Sequence, residues 1–335
     1  MNDAPFVSII IPCRNEERFI GKCLDSILLN GYPKEKLEIL AVDGMSDDKT
    51  RANIKEYRKK HPYIKLLDNP GKIVPTALNL GIQKAQGAVI MRLDAHNSYE
   101  KDYITKCVAY LQNYPVDNVG GVCTTLPGSN TLIAKSISIA LSSPFGVGNA
   151  YFRIGLKEPK YVDTVPFGCY RRDVFDKVGL FNENLVRNQD IEFNLRLKKA
   201  GGKILLAPEI VSYYYARSTI KGLFEQNFKN GFWVLYSTRY AKIPFSLRHL
   251  IPFFFVLSLL GSIFLACCIE SFIYLFFFVM GIYLAATVYY SFKIFLKEGL
   301  KHFFILPVVF ATLHLSYGFG SFWGMFALIK RVKRK

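Results

Sequence analysis

The sequence predicts an α/β fold, a mainly parallel sheet with helices on both faces, followed by a C-terminal α-helical membrane region. Four continuous apolar runs alternate with amphipathic stretches up to Leu93, and much longer apolar runs begin beyond Ile243. Strands that are buried on both faces read as continuous apolar runs, so the first pattern is typical of a parallel sheet. We therefore predict a sheet domain at 1–217, an amphipathic interfacial helix and linker at 218–248, and a membrane region at 249–335.

Each apolar run of the first part is followed by signals for a helix or a turn. Val7 to Pro12 is the first run, and Asn15 is the expected N-cap of a helix that reaches about Leu29, with Glu16 and Glu17 in its first turn. The other predicted segments are strands at 37–42, 64–67 and 88–93, and a helix at about 75–85. Ligands of such sheets bind outside the carboxyl ends of the strands, where Asp43 and Asp94 stand.

The loop after the first strand lacks the glycines of the common nucleotide folds. No G-x-G-x-x-G follows that strand and no G-x-x-x-x-G-K-[ST] occurs in the chain, which removes the main support for a dinucleotide or P-loop site. We expect side chains and helix N-termini to hold the ligand instead. Asp43 would accept hydrogen bonds from a base or ribose, and Arg14 or Lys72 would meet phosphate. The alternative for each is solvation at the surface or a helix cap.

Asp94 and His96 form a candidate metal pair at the end of the fourth strand. Asp is an oxygen ligand for Mg²⁺ or Mn²⁺, and a residue two positions on points the same way from an extended backbone. The two side chains can therefore close on one divalent cation. The alternative is a strand end capped by an Asx turn.

Two later segments carry further polar candidates. Pro166 to Arg172 precedes a short helix that ends near Gly179, and Asn188 to Asp190 begins a helix that stops at Gly201. An Asp in the first turn of a helix usually stabilises the helix dipole, so Asp190 has either that role or a chemical one.

Together these residues resemble an inverting glycosyltransferase of family 2 with a GT-A nucleotide-diphospho-sugar transferase fold. The resemblance covers about residues 5–235 and rests on five segments: 8–17, 43–48, 92–96, 168–181 and 189–197. Within the family, the Asp94-Ala95-His96 motif, the Gln189-Asp190 pair and the membrane tail are most similar to the succinoglycan-type glucosyltransferases of exopolysaccharide biosynthesis.

The resemblance implies a role for each matched residue. Asp190 would be the general base, and Asp94 and His96 would hold the metal of the donor diphosphate, with Mn²⁺ suiting the imidazole more readily than Mg²⁺. The predicted nucleotide-sugar residues are Pro12, Arg14, Glu17, Asp43, Lys72 and Asp94. The predicted acceptor residues are Gly168, Arg172, Gln226, Lys229 and Trp233.

The stretch 218–235 has two faces at helical spacing. One face is apolar, with Ile220, Leu223, Phe224, Phe228, Phe232 and Leu235, and the other carries Gln226, Lys229 and Trp233. We predict that the apolar face is an interfacial membrane anchor and that the polar face meets the acceptor. The alternative is a core-packing helix. The polar face also resembles a loosened Q-x-x-R-W motif, and this departure argues against a processive polysaccharide synthase.

Three apolar segments at about 249–269, 272–292 and 303–329 are the predicted membrane elements. The basic tail from Lys330 to Lys335 indicates a cytoplasmic end, which favours a re-entrant or interfacial third segment. No signal peptide is expected before Val7. The predicted location is the inner, cytoplasmic membrane, with several passes and a cytoplasmic catalytic domain.

Charge and cysteine content narrow the class of protein further. The net charge is +17, but about half of this excess lies beyond Tyr240 beside the apolar segments, and basic runs elsewhere are not interleaved with aromatic residues. A nucleic-acid partner is therefore not expected. Seven cysteines without a C-x-x-C pair fit free thiols in a reducing compartment.

The predicted function is transfer of a hexose from a nucleotide sugar, with UDP-glucose as the expected donor, to a polyprenyl-diphosphate-linked saccharide. This is a step of exopolysaccharide or other cell-surface glycan biosynthesis. Two alternatives stay open: transfer to a polyprenyl phosphate, and a noncatalytic membrane scaffold that binds nucleotides. A soluble nucleotidyltransferase is disfavoured because Arg14 alone replaces a basic triphosphate loop.

Overall fold

The computed structural model describes residues 4–240 and 247–332. The strands are β1 Val7–Cys13, β2 Leu37–Asp43, β3 Ile64–Asp68, β4 Val89–Arg92, β5 Asn97–Tyr99, β6 Asn118–Leu126, β7 Lys160–Tyr161, β8 Cys169–Arg171 and β9 Ile204–Tyr215. The helices up to β9 are α1 Ile20–Leu28, α2 Thr50–Lys60, α3 Val74–Lys84, α4 Tyr103–Asn113, α5 Leu132–Leu141, α6 Pro144–Val147, α7 Tyr151–Ile154, α8 Asp173–Val178 and α9 Gln189–Lys199. The later helices are α10 Ile220–Tyr236, α11 Ile251–Ala266, α12 Phe272–Glu298, α13 Leu300–Phe303 and α14 Leu306–Val332.

One mixed sheet of nine strands organises the first part of the chain. Its order is β3-β2-β1-β4-β8-β6-β9-β5, with β7 paired to β9. The first four of these strands are parallel, and β8 joins β4 in the antiparallel direction. Every residue of β1 and β2 is buried, which is why these strands are continuously apolar in sequence. The predicted α/β class with a mainly parallel β/α half is confirmed.

The strand register brings the candidate site residues to one edge of the sheet. Cys13 pairs with Asp43, and Asp43 pairs with Asp68, so the carboxyl ends of β1, β2 and β3 are level. In β4, Arg92 pairs with Ile10, and the next residue continues this pairing. Asp94 therefore emerges at the same edge as Asp43.

The loop after β1 differs from the prediction. Helix α1 begins at Ile20, so the predicted N-cap at Asn15 is wrong. Asn15 has a left-handed backbone, with φ of 56°, and its side-chain oxygen accepts a hydrogen bond from the Asp47 main chain instead. A contact with the loop after β2 thus replaces the predicted helix cap, and the loop between β1 and α1 is longer than predicted.

The chain divides into two compact units. One consists of Met1–Thr124 and Gly155–Tyr214, and the other of Thr125–Ile154 and Tyr215–Lys335. The first unit holds most of the sheet, and the second holds α5 to α7 and α10 to α14. The segment between β6 and β7, which we predicted within 1–217, clusters with the apolar helices.

Within the second unit, α10 packs directly on α14 through glycines. A Cβ at Gly320 would lie 2.0 Å from the Phe228 carbonyl oxygen, and one at Gly324 would lie 2.4 Å from that of Phe232. Gly231 of α10 approaches the Tyr317 carbonyl equally closely. This Gly-x-x-x-Gly spacing allows two backbones to meet. The contact favours the core-packing interpretation of α10, although Phe224 remains 43% exposed.

Within the described residues, two helical segments are long and apolar enough to cross a membrane by length and composition: α12, at Phe272–Glu298, and Leu300–Ile329, which comprises α13 and most of α14. The first predicted segment forms the shorter α11. α14 continues from Leu306 to Val332, and Pro307 stands in its first turn, where no hydrogen bond is lost. The re-entrant or interfacial placement of the third segment stays a prediction. Lys333 to Lys335 of the predicted basic tail lie outside the described residues, as do the side chains of Lys330 and Arg331.

Candidate functional site

A polar cleft of about 170 Å³ lies at the carboxyl edge of the parallel strands. Its lining includes Pro12, near the end of β1, and Gly44, the first residue after β2. Its charged and polar lining is Arg14, Glu16, Lys72, Arg92, Asp94 and His96. Of the predicted nucleotide-sugar residues, Pro12, Arg14, Lys72 and Asp94 therefore meet in one cleft, whereas the exposed Glu17 and the buried Asp43 are not among its lining residues.

Left-handed residues shape all three loops that follow β1, β2 and β3. Asn15, Met45 and Lys72 have φ values of 56°, 57° and 60°. Such a backbone is unfavourable for a non-glycine residue by about 1–2 kcal/mol, so surrounding contacts must hold it. The Asn15 main chain donates to the Ser46 hydroxyl at 2.9 Å, and Lys72 donates to the Asn69 carbonyl at 3.1 Å. The strain therefore lies where the loops border the cleft.

The adjacent acids Glu16 and Glu17 have different positions. The Glu17 side chain accepts a hydrogen bond from the Lys49 main chain at 3.1 Å, and its own main chain donates to Asp48. Glu17 thus ties the loop after β1 to the loop after β2. Glu16 lines the cleft and lies 3.2 Å from the Nδ1 atom of His96. The sequence prediction names Glu17 and not Glu16, because the positions of the two acids can be told apart only when the loop conformation is known.

Asp43 is completely buried beneath the cleft. It accepts hydrogen bonds from the hydroxyl and main chain of Ser46 at 2.5 and 3.0 Å, and from Arg51 at 2.6 Å. Arg51 also donates to Asp68 at 2.7 Å, so one guanidinium joins the ends of β2 and β3. Gly44, the next residue, lines the cleft, and a Cβ at this position would lie 3.2 Å from the Arg14 side chain. In this structure Asp43 stabilises the loop of the predicted nucleoside pocket.

Arg92 connects the predicted metal residue with the predicted base. Its Nη2 atom donates to both carboxylate oxygens of Asp94, at 3.1 and 3.4 Å, and its Nη1 atom lies 3.3 Å from Asp190. Burial on its own would lower the pKa of Arg92, but the charges of Asp94 and Asp190 raise it above its usual value. The Arg92 guanidinium stays charged, and it contacts both Asp94 and Asp190, which are distant from each other in sequence.

Helix α9 places Asp190 through a buried polar network. Asn194, one turn after Asp190, accepts a hydrogen bond from Asn118 at 3.0 Å and donates to Thr164 at 2.8 Å. Residues four apart lie on the same helix face, so this network fixes the face that carries Asp190. The left-handed Asn188, with φ of 61°, begins the helix just before the acid. Sequence reasoning did not identify Asn194 because a lone Asn in a helix gives no signal.

The cleft offers the donor atoms that a divalent cation requires. The part of the chain that the structure describes contains no ready cluster of three His, Cys, Asp or Glu side chains. Asp94, His96 and Glu16 nevertheless line one cleft with oxygen and imidazole donors. Cations bound together with phosphates need only one or two carboxylates from the protein. The residues therefore fit a metal that is shared with a diphosphate.

The predicted acceptor residues do not form one group. Gly168 is buried beside the cleft, where its carbonyl accepts a hydrogen bond from the Arg92 main chain at 3.0 Å. Arg172 lies at the opposite, amino end of β4, and its guanidinium donates to the Ala85 and Gly87 carbonyls. This position does not favour an acceptor contact for Arg172. The other three acceptor candidates, Gln226, Lys229 and Trp233, lie on α10 in the second unit.

A family model described as "Glycosyl transferase family 2" matches residues 8–179. A Methanococcus voltae protein is 31% identical over 328 residues, which cover 96% of this chain and 97% of its own length. It is named dolichyl N-acetyl-alpha-D-glucosaminyl phosphate 3-beta-D-2,3-diacetamido-2,3-dideoxy-beta-D-glucuronosyltransferase. Succinoglycan biosynthesis protein ExoA of Rhizobium meliloti is 29% identical over 67% of each chain.

Among solved structures, a mannosyltransferase of Pyrobaculum calidifontis with GDP-mannose and Mn²⁺ has a similar fold. Its TM-score is 0.63 at 15% identity, and the match covers 96% of this chain and 88% of that one. The parallel strands, the polar cleft at their ends and these matches define a GT-A-like transferase. The chain belongs to glycosyltransferase family 2, and the predicted enzyme class is confirmed. This result disfavours the noncatalytic scaffold.

Proposed function

We propose that this glycosyltransferase is attached to a membrane and transfers a hexose from a nucleotide sugar to a lipid-linked saccharide with inversion. The observation that carries the proposal is the meeting of Asp94 and Asp190 at Arg92, beside the cleft at the ends of the parallel strands. An inverting transfer requires a carboxylate for the acceptor and a cationic region for the departing diphosphate. Both are present within one unit of the chain.

Asp190 is the proposed general base. It takes the proton of the acceptor hydroxyl while that oxygen forms a bond to the anomeric carbon of the donor sugar. The bond from the anomeric carbon to the diphosphate breaks, and the diphosphate leaves with the electron pair. The Asp190 side chain is 31% exposed, so an acceptor can reach it.

The positive side chains of the cleft would stabilise the leaving group. Arg14 and Lys72 line the cleft and supply charge and hydrogen-bond donors for the diphosphate. Asp94 and His96, with Glu16 beside them, would hold a divalent metal, which when bound would supply positive charge for the diphosphate leaving group. Pro12 and the loops braced by Glu17 and Asp43 would form the nucleoside pocket.

The acceptor side of the proposal combines the apolar helices with the relatives. Two helical segments of the described part of the chain are apolar enough to cross a membrane, and the Methanococcus voltae relative is named for a dolichyl phosphate-linked sugar acceptor. That name has one phosphate, whereas we predict a diphosphate link, so both acceptors belong in the test. We further propose that the chain crosses the inner membrane several times and that Gln226, Lys229 and Trp233 of α10 face the lipid-linked acceptor.

A donor and acceptor screen with the purified full-length protein in detergent micelles tests this function. UDP-glucose is the first donor, and UDP-N-acetylglucosamine, UDP-glucuronic acid and GDP-mannose are the comparisons, each with Mn²⁺. Short-chain polyprenyl phosphate, polyprenyl-phosphate sugar and polyprenyl-diphosphate sugar are the acceptors. We expect nucleotide diphosphate release only with a sugar-bearing lipid. Equal transfer to bare polyprenyl phosphate would support the alternative acceptor, and no transfer with any pair would refute the proposal.

A further inference from the structure

Arg92 lies between the two carboxylates to which the proposed function assigns the metal site and the base. Among the described residues, its guanidinium has two hydrogen bonds to the carboxylate oxygens of Asp94 and an ion pair with Asp190. Its Nε atom is buried and has no hydrogen-bond partner among the described residues. The side chain is only 12% exposed, so its position is defined by these two acids.

A comparison with a neighbouring arginine of the same unit shows what is unusual about Arg92. Arg171 follows on β8 and donates through Nε and Nη2 to the main-chain carbonyls of Val116 and Leu111. These bonds tie the Arg171 side chain to the main chain at and after the end of α4. Arg92 forms no comparable side-chain bond to the main chain in the described residues, so bracing does not account for its burial.

The geometry couples the two acids. A guanidinium is a planar fork with fixed donor directions, and it therefore fixes two carboxylates relative to each other when it binds both. The Arg92 main chain is held in place by its own hydrogen bond to the Gly168 carbonyl. Any cation that binds Asp94 must be coordinated by the same carboxylate oxygens that Arg92 contacts. The charge of Arg92 and that of the cation oppose each other at this acid.

We propose that Arg92 is a positioning residue that holds the base Asp190 in register with the diphosphate site and weakens cation binding at Asp94. The proposal rests on the function proposed above. It accounts for the position of a buried guanidinium between two acids in a cleft. It also explains how α9, whose Asp190 is distant in sequence from β4, is kept in place at the strand end.

The test uses Arg92→Gln, Arg92→Lys and the control Arg171→Gln in the full-length protein. Mn²⁺ binding is measured by electron paramagnetic resonance without donor, and kcat and donor KM are measured in the transfer assay. We expect Arg92→Gln to lower kcat about 100-fold, with a smaller change in donor KM, because Asp190 is no longer held in position relative to the donor. We expect the same variant to bind Mn²⁺ about 3- to 10-fold more tightly, because the competing charge is gone.

The other variants separate position from charge. Arg92→Lys keeps the charge but cannot bridge both acids, so we expect Mn²⁺ affinity near that of the wild type with reduced kcat. Arg171→Gln should lower the unfolding temperature and leave both Mn²⁺ affinity and kcat unchanged. Weaker Mn²⁺ binding in Arg92→Gln, or an unchanged kcat, would overturn the inference. If the wild type transfers no sugar, the proposed function fails, whereas the Mn²⁺ comparison still decides whether Arg92 opposes a cation at Asp94.

Discussion

Gly320 of α14 gives a direct test of the packing between α10 and α14. A Cβ at this position would lie 2.0 Å from the Phe228 carbonyl oxygen, whereas ordinary contact begins at 3.4 Å, so Gly320→Ala must separate the backbones locally by about 1.4 Å. A gap of 0.5–1 Å already forfeits about a quarter to a half of the dispersion energy of each contact. We therefore expect the free energy of unfolding of the second unit to fall by about 1–3 kcal/mol.

The assay uses the two tryptophans of the chain, Trp233 on α10 and Trp323 on α14. Both lie in the second unit, so their fluorescence in a denaturant titration of detergent-solubilised protein reports this helix contact. Gly281→Ala on α12 is the matched control, because a Cβ there has no atom within 4 Å. We expect the control to leave the midpoint unchanged. If Gly320→Ala behaves like Gly281→Ala, the backbone contact between α10 and α14 is refuted.

Three further predictions concern the first unit. Glu38 is buried, and although burial alone would raise its pKa, hydrogen bonds from Lys65, Ser8 and the Gln86 main chain lower it below its usual value of 4.5. Ionised Glu38 therefore contributes stability at neutral pH that is lost as the pH falls below about 4.5. In thermal melts, Glu38→Gln should be less stable than the wild type at pH 7, and the difference should be smaller at pH 3. A stability difference that grows as the pH falls would contradict this pH dependence. Asn194→Ala should cost about 2–4 kcal/mol in urea unfolding, because Asn118 and Thr164 lose their partner, and it should lower kcat as well; stability and kcat equal to those of the wild type would argue against the network. His96→Gln should weaken Mn²⁺ binding measured by electron paramagnetic resonance about 10- to 100-fold and shift the activity ratio from Mn²⁺ toward Mg²⁺; an unchanged ratio would remove His96 from the metal site.

The parallel half of the sheet could be predicted from the sequence, because strands that are buried on both faces are continuous apolar runs. Every residue of β1 is buried, and the strand reads as one apolar run. Asp94 was predictable for the same reason, since its position at a strand end follows from the run before it. The edge strands β5 and β7 were not predicted, because two or three residues without apolar periodicity give no signal.

The loops and the meeting of the acids could not be predicted, because long-range contacts determine them. Asn15 turns into the left-handed region through hydrogen bonds with Ser46 and Asp47, more than thirty residues away, and this shift places Glu16 in the cleft. The contact of Arg92 with Asp190 depends on the antiparallel addition of β8 to β4, which brings the later part of the chain beside the parallel half. Neither arrangement has a counterpart in local propensity.

The assignment of Asp190 as the base is the central claim, and one comparison tests it most directly. Asp173 occupies the first turn of α8 as Asp190 occupies that of α9, but it is exposed and pairs with Lys177. Asp173→Asn is therefore the control for Asp190→Asn. With the sugar donor and lipid acceptor found in the screen, we expect Asp190→Asn to lower kcat about 100- to 10,000-fold, since a positioned base contributes that much.

Donor binding, measured by calorimetry with the nucleotide diphosphate and Mn²⁺, should stay within about twofold of the wild type in both variants, and Asp173→Asn should retain full turnover. Loss of turnover in Asp190→Asn with intact donor binding is the result that the account predicts. Undiminished turnover in Asp190→Asn would contradict it.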